Sequence, residues 1–83
     1  MIARTYIVFE MDYETFLQKT KEPGDITPLM FHRTDRRLKE GYVIKTATGF
    51  EMRVLTKKKI DAQFDASYLL CVEVLERPPS GEN

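Results

Sequence analysis

The sequence predicts an α+β domain built on a small curved antiparallel sheet, or a partly closed β-barrel, with one short helix after the first strand. Three observations carry that expectation. Residues 50–56 (FEMRVLT) alternate, with Phe50, Met52 and Val54 one way and Glu51 and Arg53 the other, the mark of a half-buried strand. Residues 68–75 (YLLCVEVL) are the most apolar run in the chain and belong in the middle of a sheet. Helical spacing occurs once, after Asp12, where Tyr13, Phe16, Leu17 and Thr20 recur three and four residues apart.

Chain length sets the scale. Eighty-three residues make one domain, expected over 1–76, with 77–83 (RPPSGEN) a flexible tail that has no apolar anchor. A domain this small removes only about 60% of its unfolded surface from water, so one continuous core is expected. Nine aromatic residues and no Trp suffice to fill it. The single Cys71 closes no internal disulfide, so stability must come from packing, which fits a reducing compartment. The opening MIARTYIVFEMDYE does not read as a signal peptide, and no apolar run approaches the roughly 20 residues of a membrane span. A cytoplasmic protein is the expectation.

Taken in order, residues 5–11 (TYIVFEM) read as a strand, and their apolar character on both faces argues for an interior place. Asp12 is a good N-cap for a helix of two to three turns that lays Tyr13, Phe16 and Leu17 on the sheet. Pro23-Gly24-Asp25 stops it, and residues 25–28 form a loop. A second strand is expected over 29–33, then a polar turn 34–37 that Leu38 anchors to the core. Gly41 leads into a third strand over 42–46, and Thr46-Ala47-Thr48-Gly49 turns the chain into the alternating strand, with Gly49 free to adopt positive φ. This ribbon is the centre of the design, and the first strand is expected to pair along its edge. Leu55, on the polar side, marks a bulge or a closing edge. Lys57-Lys58-Lys59 reads as a solvated turn, 60–64 as a short strand or irregular link, and Asp65-Ala66-Ser67 as another turn before the last strand.

The chain is neutral overall but unevenly charged. Residues 31–60 hold nine bases (Arg33, Arg36, Arg37, Lys39, Lys45, Arg53, Lys57, Lys58 and Lys59) against Asp35, Glu40 and Glu51, a balance of +6. The remainder holds four bases and ten acids, a balance of −6. Such a layout suits an anionic partner, and it equally suits a solvated face on which the arginines pair with Asp35, Glu40 and Glu51.

No catalytic constellation is visible. One His and one Cys do not make a structural zinc site, no cofactor motif is present, and neither Gly24 nor Gly49 belongs to a phosphate-cradling loop. His32 reads as a packed or edge-strand histidine, Cys71 as a small core residue, and Glu73 as a solvent-facing acid or a partner for Arg33 or Arg53.

Several short stretches resemble the ASCH domains of the PUA-like superfamily, and more narrowly the small phage-associated ones. They are Tyr13-x-x-Phe16, Phe31-His32-Arg33, Asp35-Arg36-Arg37-Leu38-x-x-Gly41, Val43-Ile44, Gly49-x-x-x-Arg53-Val54 and Leu69 to Val74. The likeness covers roughly residues 5–75. It implies a PUA/ASCH-like barrel and RNA binding. Members that resemble amidohydrolases acting on acetylated cytidine use a Gly-x-Lys-Thr turn with a Glu. Here the turn reads Pro23-Gly24-Asp25-Ile26-Thr27, without the Lys, and Tyr42 stands where an acid is usual. Only Thr27 and Lys21 are left to carry that activity, so a non-enzymatic role is favoured.

The expected function is therefore nucleic-acid binding, RNA before DNA, through Arg33, Arg36, Arg37, Lys39 and Arg53, with Tyr42 and Phe50 as stacking faces. Lys57 and Lys58, with Lys59, would form an electrostatic rim. The alternative is a phage- or mobile-element-encoded protein that binds or inhibits a host protein through its separated charge lobes. Neither membrane nor metal enters the expectation.

Overall fold

The computed structural model describes residues 3–19, 27–60 and 66–79. Its elements are β1 (Arg4–Glu10), α1 (Tyr13–Lys19), β2 (Met30–Thr34), β3 (Val43–Lys45), β4 (Glu51–Ile60) and β5 (Ala66–Glu76). They form one five-stranded sheet in the order β2-β1-β5-β4-β3, curled into a half-barrel. The expected turn at Pro23-Gly24-Asp25, Lys21, and residues 61–65 lie outside the described residues.

The sheet is mixed, which corrects the antiparallel expectation. β1 runs parallel to β5, with Tyr6 opposite Tyr68 and Val8 opposite Leu70, while the other three pairings are antiparallel. β1 also pairs with β2 and β5 rather than along the β3–β4 ribbon. The physical reason lies in the two apolar runs. Strands covered on both faces carry near-continuous apolar sequence, and such strands seek each other at the centre of a sheet.

Two clusters fill the two faces. On the concave face Tyr6, Val8, Ile44, Met52, Val54, Leu70 and Val72 pack together, with Leu38 laid over them from the β2–β3 connection. The convex face carries a smaller cluster, Phe9, Cys71 and, from the helix, Phe16. Asp12 caps α1 as expected, its Oδ1 accepting from the Thr15 amide at 2.7 Å. Hydrogen bonding from the Thr15 side chain, and secondarily from its amide, holds the Asp12 carboxyl below its ordinary range. Only Phe16 of the helix is buried; Tyr13 and Leu17 stay half exposed. A seven-residue helix has one inward row, and with Phe16 pointing down, Leu17 falls 100° round the flank.

The lysine run is strand rather than turn. β4 continues through Lys57, Lys58 and Lys59, which face Leu70, Leu69 and Tyr68 of β5. Ala66 and Ser67, expected in a turn, belong to β5. A strand accepts lysines here because their stems cover apolar surface while the ammonium stays wet: the Lys57 Nζ sits 5.1 Å from the centre of the Tyr68 ring. Leu55 is the extra residue of a bulge, since Val54 faces Val72 and Thr56 faces Cys71. Both Leu55 and Thr56 therefore lie toward the convex face, and Leu55 packs on the Phe9–Phe16–Cys71 cluster. Beyond β5, Arg77 pairs with Glu10 and Pro78 lies against Gly49. No helix among the described residues is long and apolar enough to cross a membrane.

Candidate functional site

The half-barrel leaves a seam between its two edge strands, and that seam is a cleft. Its walls are His32 and Thr34 from β2, Val43, Ile44 and Lys45 from β3, and Tyr42 just before β3, with Arg36 and Leu38 between them. The space measures about 190 Å³. Along the sheet, His32 on β2 is level with Tyr6 whereas Lys45 on β3, four strands away in order, is level with Glu51. The tilt of strands in a curled sheet brings the two levels together.

Four hydrogen bonds fix the connection that carries Arg36. Arg4 Nη1 donates to the Asp35 carbonyl at 3.1 Å. The Arg36 amide donates to Thr34 Oγ1 at 3.1 Å, and its carbonyl accepts from Tyr6 Oη at 3.3 Å. The buried Leu38 amide donates to the same Tyr6 Oη at 3.1 Å. Tyr6 is wholly buried and stacks on Tyr68, ring centres 5.2 Å apart and planes 19° apart. A rigid aromatic thus holds the backbone on both sides of Arg36, while its side chain stays exposed at the cleft.

The cleft is an electropositive donor set. Arg36 and Lys45 are cations, Tyr42 and Thr34 carry hydroxyls, and no carboxylate lines it. Glu51, opposite Lys45 in register, forms no ion pair with it. His32 is partly buried, and burial lowers its pKa, so the ring is neutral near pH 7. Among the described residues the ion pairs are Arg53–Glu73 and Arg77–Glu10. Arg33, Arg36 and Arg37 therefore do not pair with Asp35, Glu40 or Glu51.

The sequence-derived candidates are split by the fold. Arg36 and Tyr42 line the cleft, and Arg37 and Lys39 are exposed on either side of Leu38. Arg33 alternates with His32 and lies on the other face of β2, opposite Thr5. Arg53 is on the convex side in an ion pair with Glu73 at 3.3 Å, so Glu73 is a solvent-facing acid with a partner. Lys57 reaches Tyr68 on the concave face, and Lys58 points the opposite way. Phe50 packs against the concave core. Thr27 is exposed and is not a cleft residue. His32, Thr34 and Lys45 are the members that sequence reasoning did not select. Their signal was positional only: both strands bearing them are short and weakly apolar, as edge strands are.

A second concavity of about 430 Å³ is lined by Glu10, Met11, Asp12, Leu55, Val72, Glu73 and Val74. Its three carboxylates are already engaged, by Arg77, by the Thr15 amide and by Arg53. No group of three or more His, Cys, Asp or Glu among the described residues could hold a metal ion. Cys71 is buried, donates to the Met11 carbonyl at 3.1 Å, and is pushed up to about 11 by burial and the Asp12 charge. It is a packing residue, as expected.

No family model matches this chain, and neither a curated protein nor a solved structure does.

Proposed function

We propose that the protein binds single-stranded nucleic acid at the seam of its half-barrel, with RNA favoured over DNA. The observation that supports this most is the cleft itself, where Arg36, Lys45, His32 and Tyr42 meet with no carboxylate among the lining residues. Arg36 and Lys45 would take phosphates, and Tyr42, 41% exposed, would offer its ring to a base. Arg37 and Lys39 are exposed beside Leu38, and Lys57 and Lys59 add positive charge on the same face of β4, whereas Arg33 and Lys58 lie on the opposite face of the sheet. A duplex is too broad for a slot between two strand edges. The preference for RNA rests on the resemblance to ASCH domains of the PUA-like superfamily.

The test is fluorescence anisotropy of labelled single- and double-stranded RNA and DNA at two salt concentrations. The expected result is salt-sensitive binding of single strands, with a log–log salt slope reduced by about 1.4 when both Arg36 and Lys45 become Ala. An unchanged affinity and slope in that variant would overturn the assignment.

A protein-binding role has one observation in its favour. Phe31, on edge strand β2, is 68% exposed, and Val43 on edge strand β3 is 44% exposed. Exposed apolar residues on free strand edges suit addition of a partner's strand. That reading predicts no nucleic-acid binding at any salt, and a protein complex that Phe31→Ser abolishes.

A further inference from the structure

We infer that the cleft between the β2 and β3 edges is a site for a phosphomonoester, the terminal phosphate of a nucleic-acid strand or of a mononucleotide, rather than for the internal phosphates of a continuous strand. The inference rests on the preceding reading only in taking the cleft as an anion site.

Size is the first argument. About 190 Å³ is below the roughly 300–1,000 Å³ of pockets that hold a whole small molecule, and it suits one charged group with part of its sugar. Enclosure is the second. β2 walls one side, β3 the other, and Leu38, itself 3% exposed, closes the base. A phosphodiester has ester arms on both sides and must leave such a slot in two directions. A monoester has one arm and enters end-on.

Charge is the third argument. A phosphomonoester carries about −1.5 to −2 at pH 7, against −1 for a diester, and presents three terminal oxygens. The cleft answers with the fork of Arg36, the three donors of Lys45, the hydroxyls of Tyr42 and Thr34, and the His32 ring. Thr34 Oγ1 already accepts the Arg36 amide, which leaves its proton free to donate outward. The groups that face His32 are Tyr6 across the β1–β2 pair, Arg36 and Tyr42 from the β2–β3 connection, and Lys45 from β3, none of them acidic. A dianion placed among them favours the imidazolium, so His32 gains a proton and a second donor when the cleft fills.

One internally labelled single-stranded oligonucleotide tests this in three forms: hydroxyl at both ends, 5′-phosphate, and 3′-phosphate. Alongside, adenosine 5′-monophosphate and adenosine are titrated into isotope-labelled protein by NMR. The expected result is at least tenfold tighter binding of one phosphorylated form, lost in Arg36→Ala/Lys45→Ala and kept in Lys19→Ala on the helix. The monophosphate, but not adenosine, should shift the cleft resonances and raise the His32 pKa. Equal affinity for all three oligonucleotide forms overturns this inference and leaves nucleic-acid binding standing. Cleft shifts with the monophosphate and no binding of any oligonucleotide uphold the inference and remove the nucleic-acid reading. Silence from every ligand removes both.

Discussion

Replacing Tyr6 by Phe removes one oxygen and tests how the site is held. The ring keeps its place, because Tyr6 is fully buried and its stacking on Tyr68 does not involve the hydroxyl. Two bonds are lost. The one at 3.3 Å to the Arg36 carbonyl is long and only partly buried, so water can replace it. The other is the acceptor of the Leu38 amide, which is buried and has no other partner among the described residues. An orphaned buried donor costs about 1–3 kcal/mol. For a domain of this size each kcal/mol lowers Tm by roughly 4–8 °C. The expected outcome is a loss of about 1–3 kcal/mol in urea unfolding with an unchanged m-value, and weaker anion binding, since the connection carrying Arg36 is released. Tyr68→Phe is the control, because the Tyr68 hydroxyl makes no hydrogen bond among the described residues; its change should stay within about 0.5 kcal/mol. A Tyr6→Phe cost as small as the control's would refute the idea that this hydroxyl anchors the cleft.

Three other perturbations follow from the same structure. Gly41 and Gly49 have φ of 90° and 111°, but a Cβ at Gly41 meets open space whereas one at Gly49 comes within 3.0 Å of Pro78 Cβ. Gly41→Ala should cost about 1–3 kcal/mol by backbone strain and Gly49→Ala more, as read by urea titration. The Cys71 thiol, raised from 9.0 to about 11, should react with a disulfide reagent at pH 8 roughly a hundredfold more slowly in the folded protein than in denaturant. Keeping it neutral favours the folded state below about pH 9, so that contribution declines from pH 9 toward 11, and Cys71→Ala should flatten the decline. Deleting Leu55 leaves Val54 opposite Val72 and Thr56 opposite Cys71, so every lysine keeps its face. The bend of the bulge goes with it. The deletion should weaken anion binding by widening the seam, while Leu55→Ala, with a similar loss of stability, should not.

Local features were legible because local chemistry decides them. Asp12 had to cap a helix, Gly49 had to sit at a turn requiring positive φ, and the odd placement of Leu55 marked a bulge. Leu38, an isolated apolar residue in a polar stretch, had to find the core, and it did. Strand direction was not legible. The apolar runs of β1 and β5 marked both as interior, yet nothing in a single strand states whether its neighbour runs parallel. The lysine run misled because three charges resemble a turn, when β4 runs on past the short β3, which pairs only with residues 51–53, and there Lys57 can lie over Tyr68. The cleft was only half legible. Arg36 and Tyr42 are close in sequence, but His32 and Lys45 meet through the curl of the whole sheet.

The position of the cleft raises a simpler account of its charges, and the two accounts differ in sign. A half-barrel exposes two strand edges, and charged residues on edges discourage pairing with other chains. Arg33 beside the β2 edge and Lys45 on β3 would serve that purpose with no ligand at all. Edge protection does not depend on the sign of the charge; recognition of an anion does. Arg36→Glu/Lys45→Glu should therefore remain monomeric by light scattering at concentrations where Arg36→Ala/Lys45→Ala begins to associate. The same reversal should abolish binding of single-stranded RNA and of adenosine 5′-monophosphate. Should the reversed protein stay monomeric and bind both as the parent does, the cations of the seam would be protection alone. If it loses the ligands and still does not aggregate, the two roles are separate properties of the same residues, and the seam is where a curled, unclosed sheet can combine them.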